Sequence, residues 1–330
     1  MTMILCLWWA CARETNLPTE PTEPEPGHTD HTGHTGDTAV DEPAVHDVTV
    51  ALHESFGSVG VVRWSQRAPA DVYVRFNVVG EASQRSPTRR LSAGEHHELV
   101  LGVPYDADVN WTLMVDEAEV ASGALRTAPL PVTIPTPTLL QLGAHDPDIP
   151  FVLVSMTSYD QSFGQPWWTL ILDRSGRAVW GRRSDPERMS MHPRLSWDEQ
   201  AILIDQNQFW SFVGRSDEGT VQKFTLDGAL LHEWPTPGLH HPHQELSDGS
   251  LAYGAFIGSY NESLLITAPD GTITSLWSCD DYLISLGYPN TACASNTLNY
   301  DAASNTYLFS FWTLETVFQI DASSGEVLRV

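Results

Sequence analysis

The sequence predicts an all-β protein, an N-terminal β-sandwich followed by part of a β-propeller. Three observations carry this expectation. Apolar and polar residues alternate in short runs of strand length. Gly (23) and Pro (22) punctuate those runs throughout the 330 residues, as turn-rich β folds require. From residue 169 onward, a phrase of strand, Asp-Gly-type turn and strand recurs, the signature of a repeated blade. Charge narrows the function: Asp+Glu number 42 against 17 Lys+Arg, a net charge of −25. A nucleic-acid or anionic-membrane partner needs a basic face, so neither is expected. No apolar run reaches the roughly 18 residues of a spanning helix.

The chain opens on M-T-M-I-L-C-L-W-W-A-C, a short apolar stretch ending in a small residue and Cys11. Residues 12–46 then repeat Thr, Pro, Glu and His with almost no apolar area, so they are expected to be a disordered acidic tether. Together the two segments resemble a bacterial lipoprotein signal. That resemblance implies lipidation at Cys11, export, and a membrane link only through a lipid in the envelope, periplasmic or at the cell surface. His28, His31 and His34 recur every third residue of the tether. They suit either transition-metal chelation or a polar spacer made by duplication.

Residues 47–130 alternate with period two in Val48-Val50-Leu52, Val72-Val74-Phe76-Val78 and Val109-Trp111-Leu113-Val115. About seven short strands in so few residues suit a sandwich of the immunoglobulin or fibronectin type III kind, with Trp64 as its core tryptophan. Residues 131–137, P-V-T-I-P-T-P, are expected to be an extended linker stiffened by proline.

Residues 138–330 are expected to supply about four blades. The phrases at 169–180, 221–234, 263–277 and 317–330 each place a strand on both sides of a turn, with turns 43–54 residues apart, near the period of a four-stranded blade. A second phrase precedes them: H-P-R-L-S-W-D at 192–198, H-P-H-Q-E-L-S-D at 241–248 and A-S-N-T-L-N-Y-D at 294–301. These begin the inner strands, beside the central channel.

The second phrase carries a further resemblance. H-H-P-H-Q-E-L-S-D-G-S-L, A-S-N-T-L-N-Y-D and S-F-W-T-L-E-T-V-F-Q-I-D are similar to successive parts of the bacterial arylsulfotransferase family. The family pairs a small β-sandwich with a six-bladed propeller, and it moves sulfuryl groups from an aryl sulfate ester to a phenol without a nucleotide donor or cofactor. The resemblance implies catalytic roles for His240, His241 and Asn296, with His241 donating to the sulfuryl oxygens. It implies substrate contacts for His192, His243 and Trp312. Where the family has His and Arg this chain has Ala294 and Trp312, and the family's sulfuryl-carrying His lies beyond the last residue, so the chain is expected to be C-terminally incomplete. The other expectation is a non-catalytic propeller that binds a ligand or protein at the surface. Its aromatic residues suit stacking on a ring.

Sulfuryl transfer needs donors or cations aimed at anionic oxygens, yet no Lys or Arg stands between Lys223 and Arg329. Arg174, Arg177, Arg182, Arg183, Arg188 and Arg194 come earlier. They could line a mouth, or pair with acids such as Asp185 and Glu187 on outer loops. His241, His243 and Glu245 share one side of a strand, but zinc needs three or four converging ligands, and no metal is expected. Cys279 and Cys293 flank a 14-residue span; export permits a disulfide there, with two buried thiols as the alternative. No P-loop, dinucleotide fingerprint or serine-nucleophile elbow occurs.

Overall fold

A computed structural model describes residues 5–6, 44–137, 149–157, 166–186, 188–207, 218–257, 261–289 and 291–330. Cys11, the three tether histidines and most of residues 1–46 lie outside the described residues. Leu5–Cys6 (β1) pairs with a strand of the first C-terminal sheet, Leu5 opposite Leu153, where the sequence predicted a leader. No helix among the described residues is long and apolar enough to cross a membrane.

The N-terminal strands are Val45–Leu52 (β2), Gly60–Gln66 (β3), Ala70–Val78 (β4), Gln84–Arg85 (β5), Arg89–Leu91 (β6), Gly94–Val100 (β7), Asp108–Val115 (β8) and Ala118–Arg126 (β9). They form two antiparallel sheets, β2-β3-β7 and β5-β4-β8-β9, with β6 also on β4. Alternation sends Val72, Val74, Phe76 and Val78 of β4 inward with Val109, Trp111, Leu113 and Val115 of β8, onto Val62 and Trp64 of β3. Buried Trp64 donates its Nε1 to Gln66 Oε1 at 3.0 Å, which satisfies the indole without water.

The C-terminal part is four antiparallel sheets of four strands, an arrangement consistent with propeller blades. The first joins β1 to Phe151–Thr157 (β10), Trp167–Asp173 (β11) and Ala178–Arg183 (β12). The second contains Arg194–Leu195 (β13), Ile202–Gln206 (β14), Thr220–Phe224 (β15) and Leu230–Pro235 (β16). The third contains Leu239–Glu245 (β17), Leu251–Phe256 (β18), Glu262–Thr267 (β19) and Ile273–Ser278 (β20). A short helix, Cys279–Ser285 (α1), leads to the fourth: Ser295–Asp301 (β21), Thr306–Phe311 (β22), Thr316–Asp321 (β23) and Val327–Arg329 (β24). Each sheet's last hairpin turns at a glycine with positive φ: Gly176 (77°), Gly228 (83°), Gly271 (86°) and Gly325 (74°). Glycine has no Cβ to oppose that conformation.

Neighbouring sheets pack against one another through a tryptophan on each of the outer strands β12, β16 and β20. Trp180 Nε1 donates to Leu226 O of the second sheet at 2.9 Å. Trp234 Nε1 likewise reaches Gly249 O of the third at 3.0 Å, and Trp277 sits among Phe309, Phe311 and Phe318 of the fourth. Cys279 and Cys293 are joined as a disulfide, Cα–Cα 6.4 Å. It ties α1 to the approach to β21.

Residues 131–137 join the two parts of the chain. Ile134 is buried against Leu170 and Ala178 of the first sheet, because its N–H closes a turn on Pro131 O and drives the side chain inward. Close by, the loop between β2 and β3 inserts Phe56, stacked on Trp180 with centroids 5.1 Å apart. Ser58 Oγ donates to Val179 O at 2.8 Å, and Arg177 pairs with Glu81 across the same junction.

Candidate functional site

The second repeated phrase forms the first strands β13, β17 and β21, and its two His-Pro dipeptides put His192 and His241 at equivalent positions. Their rings meet edge to face with centroids 5.2 Å apart, and the His240 and His241 rings lie 3.8 Å apart. Gly238 sets the entry to β17: its φ is +75°, and a Cβ there would lie 2.4 Å from Phe256 O.

Buried carboxylates fix this cluster. Glu262, fully buried at the start of β19, accepts from His240 Nδ1 at 2.7 Å. Its other oxygen accepts from the Ser295 N–H, so one carboxylate holds the histidine pair and the first residue of β21. Asp205, also fully buried, accepts from the backbone N–H of Met191 at 3.0 and 2.9 Å and of His192 at 3.0 Å. Burial pushes the Asp205 carboxyl up, against those donors. Glu245 accepts from Trp197 N–H at 2.8 Å and from Lys223 Nζ at 2.9 Å.

Burial decides the charge state of the imidazoles. Desolvation, then the charges of Arg194 and His240, depresses His192 to about 4. Desolvation, with His240 and His192 beside it, depresses His241 to about 2. Both half-buried rings are therefore neutral near pH 7, each offering one N–H donor and one lone pair rather than an acidic proton.

The positive charge absent from the local sequence comes from the preceding sheet. Arg194, on β13 and 6 % exposed, donates Nη1 to Gln244 Oε1 of β17 at 2.6 Å and to Asn299 Oδ1 of β21 at 3.4 Å. One side chain thus spans the first strands of three sheets. Desolvation lowers its pKa to about 10, so it stays charged. Of the other arginines, Arg177 pairs with Asp173 and Glu81, Arg188 pairs with Glu218, and Arg182 on β12 covers the Phe224 ring at 3.6 Å.

The structure brings together His192, His240 and His241, and adds Glu262, Asp205 and Arg194. Asn296 is exposed on β21, one residue beyond the Ser295 that Glu262 holds. Trp312, 60 % exposed, donates its backbone N–H to Ala294 O at 3.1 Å, at the same end of the sheet. His243 is fully buried, and desolvation, then the charge of Arg194, holds its imidazole well below the usual histidine range. Among the described residues, no group of three or more His, Cys, Asp or Glu is arranged to hold a metal ion. Glu262 and Asp205 escaped sequence reading because each lies in another strand or sheet from the histidine it serves. Only their position in apolar strand patterns marks them.

These sheets and their histidine-lined first strands define an all-β protein distantly similar to β-propeller-type proteins. No family model matches the chain, and no curated protein sequence does. Among solved structures, similarity extends to a Bacteroides thetaiotaomicron protein of unknown function (13 % identity, TM-score 0.35, covering 87 % of this chain and 72 % of that one). It extends also to a proposed 6-phosphogluconolactonase from Bacteroides fragilis (11 %, 0.32, 84 % and 81 %). A rhamnogalacturonan lyase from Bacillus licheniformis is similar at 13 % identity and TM-score 0.31, over 84 % of this chain and 60 % of that one. These likenesses are too distant to bear on activity.

Proposed function

We propose that residues 47–130 form a fibronectin-like sandwich, that residues 138–330 form propeller blades, and that the chain is a lipid-anchored envelope protein of the arylsulfotransferase type. Its reaction is the transfer of a sulfuryl group from an aryl sulfate ester to a phenol. The observation that carries this reading is a neutral, half-buried His241 packed between His192 and a His240 oriented by buried Glu262. A neutral imidazole donates its N–H to a sulfuryl oxygen without first acquiring a proton, and the carboxylate-held neighbour keeps that donor in place. In the reaction the ester S–O bond breaks, the phenol oxygen forms the new S–O bond, and the phenol's proton ends on the departing phenolate.

The test is release of p-nitrophenol from p-nitrophenyl sulfate by the full chain, with and without phenol. Phenol-dependent release that His241→Ala abolishes and His192→Ala weakens supports the reading. Release that is absent, or unaffected by His241→Ala, overturns it. The exposed Trp312 and the alanine at position 294 favour a second reading, a ligand-binding surface without turnover. In that case p-nitrophenyl sulfate binds unchanged and Trp312→Ala releases it.

A further inference from the structure

The disulfide and the histidine pair are linked through one side chain, Asn261. It stands just before β19, and its carboxamide bridges both arms of the loop that Cys279 and Cys293 close. On one arm its Nδ2 donates to Asp280 Oδ1, beside Cys279. On the other, the same Nδ2 donates to Thr291 O at 2.9 Å, and its Oδ1 accepts from the Cys293 N–H at 2.6 Å. A carboxamide offers two N–H bonds and an oxygen, and here all three groups are engaged. An aspartate would keep the oxygen, lose both donors and set a second carboxylate against Asp280.

The next residue is Glu262. Its N–H donates to Cys293 O at 3.0 Å, so residues 261 and 262 are both bonded to the 291–293 segment. Its carboxylate then accepts from His240 Nδ1 at 2.7 Å and from the Ser295 N–H. A path of hydrogen bonds thus runs from the disulfide loop to His240, whose ring lies 3.8 Å from that of His241. A buried carboxylate holds an imidazole only as steadily as its own backbone is held, and Asn261 anchors that backbone.

We propose that Asn261 is a positioning residue for the histidine pair and that the Cys279–Cys293 loop is the brace it works through. The loop fixes Asn261, Asn261 fixes the start of β19, and Glu262 there fixes His240 and, through it, His241. The task given to the pair rests on the sulfuryl-transfer reading above, whereas the positioning is read at the imidazole itself rather than through turnover.

The test uses the full chain, isotope-labelled in histidine and tryptophan, and follows by NMR the exchange with water of the His240 Nδ1 proton. The Trp64 Nε1 proton, bonded to Gln66 in the sandwich core, is the reference for global opening. In Asn261→Ala the His240 proton is expected to exchange about tenfold faster, with the Trp64 rate unchanged. Cys279→Ser/Cys293→Ser should do the same, and the combined variant should fall short of the product of the two effects, because both interrupt one path. Asn261→Asp, of the same shape without the donors, should match Asn261→Ala. The proposal is overturned by an unchanged His240 rate in Asn261→Ala, by an equal rise at Trp64, by effects that simply multiply, or by an Asn261→Asp chain that keeps the original rate. If Asn261→Ala does not fold, the serine pair decides alone, and an unchanged His240 proton there refutes the coupling. Absence of aryl sulfate turnover would leave these rates as they are, so the two readings fail separately.

Discussion

Glu262→Ala is expected to loosen the third and fourth sheets from each other as well as the histidine pair. The carboxylate is fully buried and accepts from His240 Nδ1 and the Ser295 N–H. Alanine leaves two buried donors without an acceptor, at about 1–3 kcal/mol each, for a loss on the order of 4 kcal/mol. For a chain of more than 150 residues, ~2–4 °C per kcal/mol converts this to roughly 8–16 °C in Tm. Glu262→Gln keeps one acceptor oxygen but turns an N–H2 toward the other donor, so about half the loss is expected. Thermal melts followed by circular dichroism at neutral pH read the series. The reasoning is refuted if Glu262→Ala melts within about 1 °C of the unaltered chain, or if the glutamine variant is as damaged as alanine.

Stability should fall on acidification below about pH 6.5, because the unfolded chain takes up protons on His192 and His241 there while the folded chain refuses them until about 4 and about 2. Each histidine contributes about 1.4 kcal/mol per pH unit across its window, and urea melts of His192→Gln between about pH 7 and 5 should show a shallower slope by that amount. Reduction of the Cys279–Cys293 disulfide, sequence separation 14, should cost about 3 kcal/mol, read as a lower urea midpoint in dithiothreitol that Cys279→Ser/Cys293→Ser reproduces. Gly238→Ala should cost ~1–3 kcal/mol and shift the histidine ring resonances in NMR, since its Cβ would press on Phe256 O.

The fold was legible where its physics is local. Alternation in β4 and β8, and the turn glycines 176, 228, 271 and 325, follow from period-two burial and positive φ, and both leave marks in the sequence. The three first strands were legible because they repeat. In residues 131–137 proline content reports stiffness but not docking, and Ile134 is the one side chain there that a core accepts. At the site, His192, His240 and His241 were singled out through the resemblance carried by the repeated phrases. Their supports were not, because Glu262 and Asp205 reach them from other strands or sheets. Arg194 was visible only as one of six arginines, until the packing showed it to be the buried one.

The junction built by Phe56, Ser58 and Ile134 joins the two parts of the chain a second time. With Phe56 wedged against Trp180, Ser58 bonded to Val179 and Arg177 clasped to Glu81, the two N-terminal sheets share a seam with the first C-terminal one. A cut in residues 131–137 would sever the covalent path and leave that seam intact. The N-terminal sheets and the first C-terminal sheet are therefore held together by side-chain contacts as well as by the chain that joins them.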